Sequence, residues 1–221
     1  WSCCWWPWAP SANFEYVAKV FDAIDEPLRA WIAAQPMFFV ATAPSGGGGH
    51  VNLSPKGGRG LFRVTGELGF AYVDLMGSGI ETLAHLRENG RIVVMFCAFE
   101  GAPKIVRLHG SGRPVQQNDE GFEELLATFD VTDEQRPAVR SVITVDVTRV
   151  SDSCGFVVPR MDYVAERDQL YRFADNRIRK LGEEAVKAYV SDHNAESLDG
   201  LTGLDPLVES NGRSVSTGRK L

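Results

Sequence analysis

The 221-residue sequence lacks several features that would place it in a familiar class. Its four cysteines form no CxxC pair and share no metal-ligand spacing with its four histidines, so no metal site is indicated. The formal net charge of -6 argues against a nucleic-acid-binding surface. No apolar run is long enough to span a bilayer. These absences favour a reduced, cytoplasmic globular protein without metal, nucleic-acid or membrane partners.

Tryptophan is almost confined to the opening segment WSCCWWPWAP, and none follows Trp31. That segment also lacks the basic start and the cleavage site of a signal peptide. We interpret residues 1–12 as a peripheral or artefactual segment and residues 13–160 as the main domain with N-terminal helices. Residues 161–221 are expected to form a helical C-terminal extension that ends in a loop tail.

The strand-like segments of the main domain follow a short helical region. Residues 13–35 are typical of two short helices, the second capped by Asp25. Six alternating segments come next: FFVATA, HVNLS, LFRV, LGFAYVDL, RIVVMFCAF and KIVRLHGSGRPV. A helix, IETLAHLREN, lies between the fourth and fifth segments and ends at Gly90. The helix DEGFEELLATFD, the strand VRSVITVDVTRV and a helical pattern over residues 162–193 complete the order.

This order indicates a fold that is mainly β with helices, of the α+β class. One helix inserted into a series of strands is typical of an antiparallel barrel, whereas a parallel sheet would alternate strands and helices.

The segment Gly77-Ser78-Gly79, the glycine corner, joins the strand FAYVDLM to the inserted helix. A helix start offers unpaired N–H groups and a partial positive charge, which together can bind an anion. The hydroxyls of Ser78 and Thr82, with the N–H groups that follow Ser78, would surround a phosphate there. Glu81 would repel a phosphate unless it points away, and its alternative role is to complement the helix dipole.

Two common nucleotide-binding motifs fit this sequence poorly. The pattern Gly77-x-Gly79-x-x-Thr82 lacks the third glycine of the dinucleotide-binding fingerprint, and its surroundings do not alternate as βαβ units. The glycine-rich stretch GGGGHVNLSPKGG ends in Lys56, which lacks the preceding glycine and the following hydroxyl residue of a P-loop. Neither motif explains the glycine corner.

The order of these segments resembles the FMN-binding split barrel of the pyridoxamine 5′-phosphate oxidase superfamily. The resemblance covers roughly residues 37–150 and is carried by FFVATAP, VNLSPKG, DLMGSGIETLAHLRENGRIVVMF and RLHGSGRPV. The later segments SCGFVVPRMDYVAERDQLYRFADN and SLDGLTGL resemble a bacterial and fungal branch described only as oxidase-related. The resemblance implies a Greek-key antiparallel split barrel, FMN as cofactor, and a homodimer with the flavin at the subunit interface.

The resemblance also implies which side chains line the flavin ring: Asn52, Ser54, Pro55 and Lys56. For Asn52 and Lys56 the alternative is a solvent-exposed strand end. Arg107 lies among apolar neighbours in KIVRLHG and therefore needs a partner. That partner would be a phosphate or flavin edge, or else Asp74 or Glu100 in an ordinary salt bridge.

The sequence departs from true pyridoxamine phosphate oxidases at several positions. Val51 stands where they carry a basic residue, and Gly79 and Ile80 stand where they carry an arginine-lysine pair. Their final motif of tryptophan, arginine and histidine is also missing. Pyridoxamine 5′-phosphate is therefore not the expected substrate, and we expect the C-terminal extension to cover the site instead.

The sequence thus predicts a cytoplasmic flavoprotein, an FMN-dependent oxidoreductase that moves a hydride to or from a small organic substrate. Two alternatives remain: a deazaflavin-dependent reductase on the same barrel, and a non-catalytic flavin- or haem-binding protein. His85 is expected to be a packed structural residue, and His109 is a weak candidate for the substrate side. His50 and His193 are expected to be exposed.

Overall fold

The computed structural model describes residues 18–206, and within that range eight strands form one antiparallel sheet. The strands are β1 (Val20–Phe21), β2 (Met37–Thr42), β3 (Asn52–Gly57), β4 (Phe62–Gly66), β5 (Gly69–Leu75), β6 (Arg91–Cys97), β7 (Ile105–Gln116) and β8 (Val139–Ser153). The helices are α1 (Glu26–Ala33), α2 (Glu81–Asn89), α3 (Phe122–Leu126), α4 (Gln169–Leu181) and α5 (Glu184–His193), with a 3-10 turn at Arg136–Ala138.

The sheet is curled into a barrel that is open along one seam. Its strand order is β3-β2-β6-β7-β8-β5-β4, with β1 paired to β8. In a flat sheet β2 and β5 would lie about 19 Å apart, because neighbouring strands are about 4.8 Å apart. Instead the ring of Phe38 on β2 lies 5.3 Å from that of Tyr72 on β5. Among the described residues β3 and β4 do not pair with each other, so the barrel is split there. The predicted α+β split barrel is confirmed.

The barrel interior is filled by alternate residues of the strands. On β2 the inward side chains are Phe38, Val40 and Thr42, which are buried while their neighbours are partly exposed. Helix α1 packs Leu28 and Ile32 against this core. Its predicted cap is confirmed, since Asp25 Oδ1 accepts a hydrogen bond from the Leu28 N–H at 2.8 Å.

Helix α2 follows the glycine corner directly and crosses to β6, as predicted. It ends at Gly90, whose φ of 72° is a left-handed conformation that glycine adopts at low cost. His85 is fully buried on this helix, and its Nδ1 lies 3.0 Å from the Thr42 hydroxyl. The prediction that His85 is a packed structural residue is confirmed, as are exposed positions for His50 and His193.

Two predicted helical segments are wrong in part. Val20–Phe21 of the first predicted helix is a strand, because it pairs with Val150 and Ser151 of β8; the earlier residues, 13–17, lie outside the described range. Residues 162–168 are not helical, and α4 begins only at Gln169. Two side chains of this segment contact Arg59: Glu166 accepts a hydrogen bond from the Arg59 N–H, and the ring of Tyr163 lies against the Arg59 guanidinium.

The C-terminal extension packs against the barrel through an apolar cluster. Met76, Ile80 and Leu83, on or beside the glycine corner and α2, contact apolar side chains of the extension. The extension contributes Ala174, Val186, Val190 and Leu204. None of the helices within residues 18–206 is long and apolar enough to cross a membrane.

Candidate functional site

A cavity of about 480 Å³, the inner cavity, lies at the open seam between the end of β3, the end of β5 and the glycine corner. Small-molecule sites typically enclose about 300–1,000 Å³, so its size suits a cofactor. Seven of the nine predicted site residues line it: Ser54, Pro55, Lys56, Ser78, Gly79, Glu81 and Thr82. The curled sheet thus brings together two segments that lie more than twenty positions apart in the sequence.

Strand β3 is tied to the start of α2 by a short chain of polar side chains. Asn52, Ser54 and Lys56 share one face because side chains alternate along a strand. The Ser54 hydroxyl donates to Asn52 Oδ1 at 2.9 Å. The Asn52 amide then donates to Thr82 Oγ1 at 2.9 Å and to Thr42 Oγ1 at 3.2 Å. Asn52 therefore lies just behind the cavity wall and fixes the position of Thr82.

A buried carboxylate organises the charge of the inner cavity. Asp74, at the end of β5, is fully buried between two cations. Lys56 Nζ lies 2.8 Å from one oxygen, and Arg140 Nε lies 2.7 Å from the other. Burial by itself raises the pKa of Asp74, but the charges and hydrogen bonds of Arg140 and Lys56 outweigh it and hold the pKa well below its usual range. The carboxylate is therefore ionised at neutral pH.

The glycine corner is held by hydrogen bonds to its carbonyl groups. Arg140 donates to the Gly79 carbonyl at 2.8 Å, and the Asn194 amide donates to the Gly77 carbonyl at 3.0 Å. Arg140 also donates to Asn194 Oδ1 at 2.9 Å, which joins the two contacts. The sequence interpretation missed Arg140 and Asn194. An arginine inside the apolar strand VRSVITVDV is a signal for the first, whereas nothing in the sequence points to the second.

The start of α2 offers hydrogen-bond donors to an anion, but the negative charge of Glu81 in its first turn would repel one. The N-cap residue Ile80 supplies no side-chain hydrogen bond, so the first N–H groups of the helix are not capped by a side chain. The Glu81 carboxylate stands in the first turn, and its Oε1 accepts a hydrogen bond from the Leu198 N–H at 3.2 Å. Lys56 and Arg140 are thus matched by Asp74 and Glu81, and the four charges sum to zero.

Arg107, the ninth predicted residue, does not line the inner cavity. It lies on β7, and its Nη1 donates to Ser153 Oγ at 2.9 Å. The salt-bridge alternative with Asp74 is not realised, because Asp74 pairs with Lys56 and Arg140. A flavin contact by Arg107 stays a prediction. His109, on the same strand, lines neither of the two cavities described here.

A second and larger cavity, the outer groove of about 1740 Å³, adjoins the inner cavity. Both are lined by Pro55, Lys56 and Gly57, so the end of β3 separates them. Six aromatic side chains line the outer groove together with charged ones: Trp31, Phe62, Phe99, Phe156, Tyr163 and Tyr171. Phe156 and Tyr163 belong to the segment 154–168, in which the Met161 N–H donates to the Phe99 carbonyl at 3.0 Å.

The arrangement of barrel, corner and seam accords with the comparisons to known proteins. A family model described as pyridoxamine 5′-phosphate oxidase matches residues 24–154, more than half of the chain. The chain belongs to the pyridoxamine 5′-phosphate oxidase family. The family protein ustO of Aspergillus flavus is 37% identical over 208 residues, which cover 88% of this chain and 81% of ustO.

Solved structures are less similar in sequence to this member of the pyridoxamine 5′-phosphate oxidase family than ustO is. An FMN-binding protein of Syntrophomonas wolfei is 16% identical with a TM-score of 0.44, covering 56% of this chain and 82% of its own. An FAD-binding protein of Mesorhizobium loti is 14% identical with a TM-score of 0.42, covering 62% of this chain and 96% of its own.

Proposed function

We propose that the protein is an FMN-dependent oxidoreductase that binds its flavin in the inner cavity. The observation that carries the proposal is that seven residues predicted for the flavin site, on two distant segments, line one cavity of cofactor size. Membership of the pyridoxamine 5′-phosphate oxidase family also supports it. The proposal includes a cytoplasmic homodimer that acts on a small organic substrate.

The residues of the inner cavity fit a flavin mononucleotide in size and in hydrogen-bond donors. The N–H groups at the start of α2 and the hydroxyls of Ser78 and Thr82 would hold the phosphate. Lys56 would lie near the flavin, where its charge favours an anionic ring. Glu81 opposes the phosphate, because its carboxylate stands beside Gly79 at the corner. One of its oxygens accepts a hydrogen bond from the Leu198 N–H of the C-terminal extension, so the carboxylate would have to turn toward the extension when a phosphate binds. When bound, the flavin supplies the hydride chemistry.

The substrate would approach from the outer groove. That groove meets the inner cavity at Lys56, so a molecule lying in it would reach the cofactor beside β3. Its aromatic side chains favour a substrate with an apolar or aromatic part. Pyridoxamine 5′-phosphate is not the expected substrate, because the tryptophan, arginine and histidine motif of true pyridoxamine phosphate oxidases is missing from the sequence.

The ligand of the purified full chain tests the proposal. We expect a yellow protein whose released ligand has the mass and the absorbance spectrum of FMN. Recovery of a deazaflavin or of haem would replace the proposal with the corresponding alternative. If FMN is present but neither nicotinamide cofactor nor any other donor reduces it, the protein is a non-catalytic flavin-binding protein instead.

A further inference from the structure

The C-terminal extension reaches the proposed phosphate site through one side chain. Asn194 ends α5 and is fully buried, although it lies 117 residues beyond Gly77. Its amide nitrogen donates to the Gly77 carbonyl, and its amide oxygen accepts from Arg140. The amide nitrogen and the amide oxygen of Asn194 therefore both have a partner at the glycine corner or beside it: the Gly77 carbonyl and the Arg140 guanidinium.

These contacts fix the orientation of the corner peptides. A trans peptide is planar, so the direction of a carbonyl also sets the direction of the N–H group that follows it. The bond from Asn194 to the Gly77 carbonyl thereby fixes the N–H of Ser78. The bond from Arg140 to the Gly79 carbonyl fixes the N–H of Ile80 in the same way. Glycine peptides rotate easily when nothing holds them, so the corner depends on these bonds.

Further bonds join the extension to α2 and its surroundings. Arg87 on α2 donates to the Gly203 carbonyl at 2.7 Å, and Leu198 donates to Glu81. The His50 imidazole lies 2.6 Å from Asp199. The extension thus contacts both ends of α2. The extension residues in these contacts all lie beyond the segment that the family model matches, which ends at residue 154.

We propose that Asn194 is a positioning residue for the phosphate end of the flavin site. Through Asn194, the C-terminal extension orients the N–H groups of the glycine corner toward a bound phosphate. This inference rests on the proposed function, because it assumes that the phosphate of FMN lies at the corner. It adds that residues beyond the segment matched by the family model are part of the site.

The test compares FMN with riboflavin, which has the same ring and no phosphate. Asn194→Asp keeps the size of the side chain and its acceptor for Arg140, but it loses the donor to the Gly77 carbonyl. We expect this variant to bind FMN roughly tenfold more weakly, the scale of one lost hydrogen bond at a buried group. Its affinity for riboflavin should stay within about twofold of the parent protein. Asn176→Asp, the same change at an exposed site on α4, should alter neither affinity.

Each other outcome has a definite meaning. Equal losses for both ligands, or a loss of thermal stability alone, would overturn the positioning role. If the parent protein binds FMN and riboflavin equally well, the phosphate is not held at the corner and the inference fails while the flavin function stands. If it binds neither, the proposed function itself fails. Asn194→Asp also adds a negative charge, which would itself repel a phosphate, so Asn194→Ala, which removes the amide without adding a charge, must show the same selective loss of FMN binding. If Asn194→Ala binds FMN as tightly as the parent protein does, the positioning role is overturned.

Discussion

Lys56 Nζ lies 2.8 Å from Asp74 Oδ1 and so joins β3 to β5 across the open seam of the barrel. In the sheet order β3 is at one end and β5 is next to the other end, and no other ion pair within the described residues connects them. Arg140, which lies on β8, forms an ion pair with the second oxygen of Asp74. The carboxylate therefore connects three strands at the wall of the inner cavity.

Asp74→Asn should destabilise the protein by about 3–5 kcal/mol, the scale for removing one partner of a buried ion pair. The substitution leaves Lys56 and Arg140 without their shared counter-charge. Urea unfolding followed by tryptophan fluorescence would measure the change. The control is Asp146→Asn, which alters an exposed carboxylate on β8 and should have little effect. Equal stability of the two variants would show that the buried pair contributes nothing.

Lys56→Met should lower the reduction potential of the bound flavin. The lysine charge favours the anionic reduced ring, and methionine keeps the apolar stem without that charge. A shift of about 30 mV corresponds to roughly 1.4 kcal/mol for a two-electron couple, so potentiometric titration can resolve it. Lys187→Met, at an exposed pair on α5, is the control.

Two other results for Lys56→Met would change the assignment. A lower affinity for FMN with an unchanged potential would place Lys56 at the phosphate. If affinity and potential both match the parent protein, Lys56 has only its structural bond to Asp74.

Gly79→Asp should weaken FMN binding by about 1–3 kcal/mol, because it adds a carboxylate beside the proposed phosphate. The new Cβ would also lie 2.4 Å from Glu81 Oε2, so that side chain must shift. Gly66→Asp makes the same change where the space around the Cβ is open. Isothermal titration calorimetry would compare the two, and unchanged affinity in a folded Gly79→Asp protein would exclude the corner from the site.

The buried His85 should make stability depend on pH. Burial lowers the pKa of His85 below its usual 6.5, so the unfolded chain binds a proton more readily than the folded one. The free energy of unfolding should therefore fall as the pH drops below about 6.5, by at most about 1.4 kcal/mol per pH unit from this group. His85→Gln should flatten that slope. Parallel pH curves for the two proteins would contradict the prediction.

The flavin-loaded protein should sediment as a dimer. Leu53 and Pro55 lie on the face of β3 opposite to Lys56, and Leu53 is 65% exposed, so this face presents apolar surface beside the proposed site. Analytical ultracentrifugation would measure the oligomeric state of the flavin-loaded protein. A monomer at every concentration would exclude a flavin shared between subunits.

Much of the barrel could be predicted from sequence because its strands are short runs of apolar and β-branched residues and its corners carry glycine. Which face of a strand is buried was less evident, since in FFVATA the polar Thr42 is buried and the apolar Phe39 is partly exposed. Val20–Phe21 escaped prediction because its pairing with β8 overrides a weak helical preference. The segment 162–168 has helix-forming residues, yet its backbone is set by the barrel surface that it crosses.

The residues around the inner cavity could be predicted where they belong to one continuous sequence motif. Those that only the folded structure brings to the cavity could not be predicted in this way. Ser54 to Lys56 and Ser78 to Thr82 belong to continuous motifs. Arg140 could have been found by the argument applied to Arg107, since each is a charge inside an apolar strand. Asn194 could not, because an asparagine at the end of a helix has many roles and its partner at Gly77 is known only from the packed structure.

The open seam also bears on how the protein avoids unwanted assembly. Strand β3 pairs only with β2, so its other edge is unpaired within the described residues. Proline has no N–H to donate, and within sheets it is found on edge strands with that missing donor on the unpaired side. Pro55 therefore deprives the free edge of one hydrogen bond that an added strand would need. Pro55, which also lines the inner cavity, thus removes one hydrogen bond that would pair β3 with β4 or with a strand of another molecule.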